Sequence, residues 1–125
     1  MGYDGVEKRK FPRADFSCKL NIFYSADILY TRVKNIGVGG ILVVLTREII
    51  RGIPVKLELF IEESRVIRCT GKVVWSASRV YPADKEKLVY DTGIQFEDIS
   101  PEDTQYIEKL VEQIIISQEN EGKKQ

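Results

Sequence analysis

Two short segments hold most of the residues whose types and spacing could do chemistry. The first is Lys8-Arg9-Lys10-Phe11-Pro12-Arg13, four cations and one aromatic ring in six residues. Arginine's planar fork binds phosphate, or the O6/N7 edge of guanine, through two parallel hydrogen bonds, and it stacks on base faces. Pro12 narrows the conformations open to the segment. Taken alone, such a run also reads as a solubilising leader. The second segment is Asn35-Ile36-Gly37-Val38-Gly39-Gly40. Its backbone N–H groups can converge on an anion, and Asn35 offers both a donor and an acceptor to a base edge. Taken alone, it reads as a tight turn that needs positive φ at one or more glycines.

Composition removes most competing chemistry. None of the 125 residues is histidine. That excludes His general bases, the usual Ser/His and Cys/His pairs and every His-containing metal site. Cys18 and Cys69 match no C-x-x-C or zinc-ligand spacing, so free core thiols are favoured, with a single long-range disulfide as the alternative. No phosphate-binding G-x-x-x-x-G-K-[ST] loop is present, and the glycines at 37, 39 and 40 do not fit G-x-G-x-x-G. Glu62-Glu63 and Glu97-Asp98 read as solvated turn charges. A binding module is expected rather than an enzyme, with no metal or cofactor.

Nineteen basic residues balance nineteen acidic ones, so the net field favours neither nucleic acid nor membrane. Recognition must come from a local cluster. Met1 to Lys10 lacks the apolar stretch of a signal peptide, and no apolar run approaches the roughly 18–20 residues of a membrane span. A cytoplasmic domain without membrane, DNA or RNA partners is expected.

The elements that must position these segments follow from periodicity. Residues 1–13 carry no hydrophobic period and read as a mobile basic leader. From Phe16 to Tyr24 apolar and polar residues alternate, the mark of a half-buried strand. Ser25-Ala26-Asp27 turns the chain into a second strand, Ile28 to Lys34. Ile41 to Leu45 is a continuous apolar strand. Gly52 and Pro54 mark a turn, and Val55 to Glu62 alternates again. Glu62-Glu63-Ser64-Arg65 closes a hairpin into Val66 to Ser78. There Ile67, Cys69, Gly71, Val73 and Trp75 fall in phase, and Gly71 suggests a bulge. A polar stretch, Arg79 to Lys87, precedes a last strand, Val89 to Phe96. Ser100 N-caps a helix with Pro101 at its first position and Asp103 completing a capping box. Ile107, Leu110, Val111, Ile114 and Ile115 form its apolar stripe. Ser117 to Gln125 reads as a fraying polar tail. The fold class is mainly β: a small six-stranded antiparallel barrel over residues 14–116 with one C-terminal helix.

Together, the two segments resemble the PilZ domain family of bacterial receptors. Arg9 and Arg13 fit its R-x-x-x-R motif, placed just before the first strand. Asn35, Gly37 and Gly40 fall on its D/N-x-S-x-x-G motif. Gly71 to Ser76 is similar to a central strand of that family, and Gly93-Ile94-Gln95-Phe96 to its closing strand. The resemblance spans roughly residues 8 to 116. It implies binding of cyclic di-GMP, with Arg9 and Arg13 on phosphate and guanine, Asn35 on a guanine, and residues 37–40 near phosphate or ribose. Trp75 is a further candidate, set against a purely core role in phase with Val73. Lys8 precedes the arginine motif at a position that in the family influences whether one ligand or a stacked pair binds. Lysine stacks poorly, so one molecule or a mixture is expected. The departure is Gly37 where the family has serine. A hydroxyl bonded to a charged group is worth ~1.5–3 kcal/mol, so restoring it is expected to tighten binding. The resemblance further implies signalling through the leader to a protein effector. The alternative is an adaptor of the same fold that binds no nucleotide. A barrel for single-stranded nucleic acid, stacking bases on Phe23 and Phe60, is opposed by Glu58, Glu62 and Glu63.

Overall fold

Period-two patterning folds here as antiparallel strands. A computed structural model describes residues 12–123. Its elements are β1 (Arg13–Asp15), β2 (Lys19–Tyr24), β3 (Asp27–Gly37), β4 (Gly40–Leu45), β5 (Pro54–Glu62), β6 (Arg65–Tyr81), β7 (Asp84–Asp98) and a helix, α1 (Pro101–Lys123). The six long strands pair in the order β3-β2-β5-β6-β7-β4, and β3 pairs again with β4, so they close into a barrel. Closure leaves no free sheet edge around most of the circumference. Leu20, Ile22, Ile41, Leu57, Ile67 and Ile94 are fully buried inside it. α1 lies against β1 and β3, burying Ile107 and Val111 over one end.

The strand expected from Phe16 is broken. β3 is long enough to pair first with β2, through residues 27–32, and then with β1, through residues 35–37. Between the two, the Phe16 N–H donates to the Lys34 carbonyl and the Val33 N–H to the Cys18 carbonyl. The register of β3 against β4 shifts over the same stretch, between Val33 and Asn35. Arg13, placed by sequence in the leader, therefore begins a strand. Residues 1–11 lie outside the described part, and with them Lys8 and Arg9.

Three other boundaries move. Arg79 to Lys87 is no linker: β6 and β7 continue as a hairpin through Tyr81 and Asp84, held in part by Arg79 Nε donating to Asp91 at 2.8 Å. α1 runs to Lys123 instead of fraying at Ser117: Gln and Glu are good helix formers, Ser117 and Asn120 are only mildly unfavourable, and Gly122 comes at the very end. The capping box is half made. Ser100 Oγ accepts the Asp103 N–H at 3.1 Å, but the Asp103 carboxylate takes Arg65 of the β5–β6 hairpin at 2.9 Å. Arg65 also lies 4.3 Å from the centroid of the Tyr106 ring. Burial and a hydrogen bond to Glu62 raise the Tyr106 hydroxyl's pKa. Both cysteines are free thiols, pushed up chiefly by burial, Cys18 to about 11 and Cys69 to about 12.

Candidate recognition face

β1 is short, yet it brings the two motifs together. Its register sets Arg13 opposite Gly37, Ala14 opposite Ile36 and Asp15 opposite Asn35. Ala14 and Ile36 point into the core, so the alternating residues Arg13, Asp15, Asn35 and Gly37 belong to the outer face.

Gly37 explains how β1 comes so close. A Cβ there would sit 3.0 Å from the Pro12 carbonyl oxygen and 3.2 Å from Arg13 Cγ. The expected positive φ is absent from this segment: among the described glycines only Gly52 has it. Nor is Asn35 in a loop, since β3 extends through Gly37 and only Val38 and Gly39 connect it to β4. Gly40 is required by packing as well. A Cβ on it would collide with the backbone of β7 at Ile94 and Gln95.

Asn35 is half-buried, and its Oδ1 atom is shielded from solvent with no hydrogen-bond partner among the described residues. A buried acceptor left unpaired costs about 1–3 kcal/mol and stands open to a partner from outside; Asn21 Oδ1 and Ser76 Oγ are buried and unpaired in the same way. The adjacent register shift in β3 is the kind of irregularity that re-aims a side chain beside a site.

The pairing extends this face across the barrel. Asn35 opposes Leu42 on β4, Leu42 opposes Gly93 on β7, and Gly93 opposes Trp75 on β6. One lateral row thus runs Asp15, Asn35, Leu42, Gly93, Trp75. At ~4.8 Å per strand, Trp75 stands roughly 14 Å from Asn35 along it. Trp75 is not the core residue that its phase with Val73 suggests. The register shifts between Val73 and Trp75, and the side chain emerges 42% exposed. Its indole lies over Gly93, where a Cβ would strike the ring.

Sequence reasoning missed Asp15 and Leu42. Parity with Arg13 was the available signal for Asp15; Leu42 needed the strand register. Phe23 and Phe60 are half-buried on β2 and β5, away from this row, and Lys19 Nζ lies 5.4 Å from the Phe60 ring centroid. Among the described residues no cluster of acidic or thiol groups could hold a metal ion, and no helix is long and apolar enough to cross a membrane.

A small closed barrel, capped by one helix and carrying polar groups on the outer face of β1 and β3, defines a compact β-barrel domain class. The PilZ domain family model matches residues 7–113, and the chain belongs to that family. Its fold is similar to the PilZ domain of Escherichia coli YcgR, solved with c-di-GMP: TM-score 0.72 at 13% identity, covering 94% of this chain and 99% of that one. It is also similar to Bacillus subtilis MotI/DgrA, an inhibitor of motility, with TM-score 0.68 and 23% identity over 90% of this chain and 52% of that one. K. pneumonia MrkH in its apo state gives TM-score 0.75 and 16% identity over 97% of this chain and 55% of that one. The chain thus spans about half the length of MotI and MrkH. No curated protein sequence matches it.

Proposed function

We propose that this domain is a cyclic di-GMP receptor that binds the nucleotide on the β1–β3–β4 face and signals to a protein partner. The observation that carries this reading is the register of β1, which sets Arg13 beside Gly37 and next to the unpartnered Asn35 carbonyl. Arg13, with Arg9 and Lys8 from the preceding segment, supplies cations to phosphate and guanine. Asn35 supplies an acceptor and a donor to a guanine edge. Gly37 lets β1 lie close on β3 and Gly40 lets β4 pack on β7, which holds this face together, and Trp75 closes the far end of the row. No catalytic step, metal or cofactor is needed, and a cytoplasmic setting fits a dinucleotide messenger. The c-di-GMP held by the YcgR domain supports the ligand class.

Titration calorimetry of the full chain with cyclic di-GMP tests this. Saturable binding at micromolar or lower concentration, of one molecule or a mixture of one and two, is the expected result. Absence of heat and of chemical-shift change at high ligand concentration overturns it. That result favours the second reading, an adaptor of the same fold that binds no nucleotide, for which the missing hydroxyl at Gly37 is the supporting observation.

A further inference from the structure

Asp15 belongs to neither motif, yet it occupies the end of the row that carries Asn35. It is exposed, two residues from Arg13 on the same face of β1, and directly opposite Asn35. Opposed residues in antiparallel strands have Cα atoms ~4.5–5.5 Å apart, close enough for both side chains to reach one flat group. Asp15, like Asp98, takes part in none of the ion pairs found among the described residues, whereas Asp27, Asp84, Asp91 and Asp103 all do. An exposed carboxylate beside Asn35 and outside these ion pairs is open to a ligand.

Ionised aspartate only accepts hydrogen bonds, and Asn35 Oδ1 is a second acceptor left open beside it. Two adjacent acceptors fit a base edge with two adjacent donors. Guanine has that edge, in its N1–H and N2–H2 groups. Adenine presents an acceptor at N1, which a carboxylate repels. Building on the cyclic di-GMP reading above, we infer that Asp15 determines base specificity: together with Asn35 it reads the donor edge of one guanine and rejects adenine, while Arg13 handles the phosphate or the O6/N7 side.

The sign of a substitution decides the matter. A carboxylate that merely stands near a dianion repels it, so removing a bystander Asp15 tightens every anionic ligand. A carboxylate that reads guanine does the opposite for the right base alone. The experiment is calorimetric titration of the wild-type chain, Asp15→Ala and Asp15→Asn with cyclic di-GMP and with cyclic di-AMP, with melting temperatures of the free proteins as a folding control. Cyclic di-GMP should weaken about tenfold in Asp15→Ala, in keeping with the value of a good base contact, and less in Asp15→Asn, which keeps one acceptor. Cyclic di-AMP should bind the wild type poorly and Asp15→Ala equally or better. Equal losses for both ligands, no change, or tighter cyclic di-GMP binding would each overturn the role of Asp15 while leaving the receptor reading intact. Failure of the wild type to bind either ligand would remove both.

Discussion

At the helix end of the barrel, polar groups are answered from within the chain. Arg65 holds Asp103 and covers Tyr106, Tyr106 bonds Glu62, and Ser100 caps the first turn. On the β1–β3 face, Asn35 Oδ1 is buried without a described partner, and Asp15 stands exposed opposite it. Both regions carry arginine, aspartate and a neutral polar or aromatic group, so their composition is nearly the same. The difference is saturation. A network whose donors and acceptors are spent on one another fixes the helix, whereas one with open acceptors is poised for something that comes and goes. What sets the β1–β3 face apart is an acceptor left open beside an exposed carboxylate, not which residue types are present.

The largest expected effect comes from the glycine on which the recognition face rests. Gly40→Ala drives a methyl group into the β7 backbone, which cannot swing aside as a side chain can. Urea unfolding should show a loss of roughly 3 kcal/mol or more, at the upper end of overpacking costs, together with loss of ligand binding. A near-neutral result would mean that β4 and β7 are not in register there.

Two substitutions then separate the regions. Arg13→Ala should weaken cyclic di-GMP by ~1–3 kcal/mol in calorimetry, the value of one bidentate contact, and change the melting temperature of the free domain little. Arg65→Ala should do the reverse, lowering stability by about 1–2 kcal/mol through the lost half-buried ion pair and ring contact while leaving affinity unchanged. If both variants lose affinity and stability together, the two regions are one cooperative unit and the contrast fails.

Gly37→Ser sharpens the picture. From sequence, a restored hydroxyl promises tighter binding. The 3.0 Å approach of the Pro12 carbonyl predicts otherwise: serine pushes β1 off β3, displaces Arg13 and costs about 1 kcal/mol of stability with no gain in affinity. Tighter binding at unchanged stability would show that β1 yields easily.

The smallest effect is in pH. Cys18 and Cys69 have folded pKa values of about 11 and about 12, above the ordinary thiol value of 9.0, so the native state holds these protons more firmly than the unfolded chain. Their contribution is complete below pH 9 and declines as pH rises through 9 towards the folded values. Tyr106, whose pKa is also raised, acts in the same direction at still higher pH. Denaturant midpoints at pH 7, 9 and 10.5 should be level between the first two and fall at the third, and Cys18→Ala should flatten the fall.

Alternation in Val55 to Glu62 and the apolar stripe from Ile107 to Ile115 made β5 and α1 legible, because each signal lies within one element and burial enforces its period. Arg13, Asn35, Gly37 and Gly40 were legible as motif positions. What they do to one another was not. Trp75 was left between core and outer face because the register shift beside it depends on β7, whose Gly93 is eighteen residues further along the chain, and a shift of one residue sends a side chain to the opposite face. Gly37 and Gly40 were read as turn formers because local rules associate glycine with positive φ, whereas here each makes room for a neighbouring strand. Asp15 drew no notice because nothing in β1 alone says that Asn35 lies across from it.

The amino-acid sequence by itself determined the period-two strands, the capped amphipathic helix, the absence of histidine chemistry and the two motif segments, since these depend on residue type and short-range spacing. Only the tertiary structure decided that Arg13 and Asp15 form a strand against Gly37 and Asn35, that Trp75 faces outward over Gly93, and that Asp103 serves Arg65 in preference to its own cap. Those outcomes depend on register and closure, which are set when distant strands bury a common core, and no local pattern encodes them.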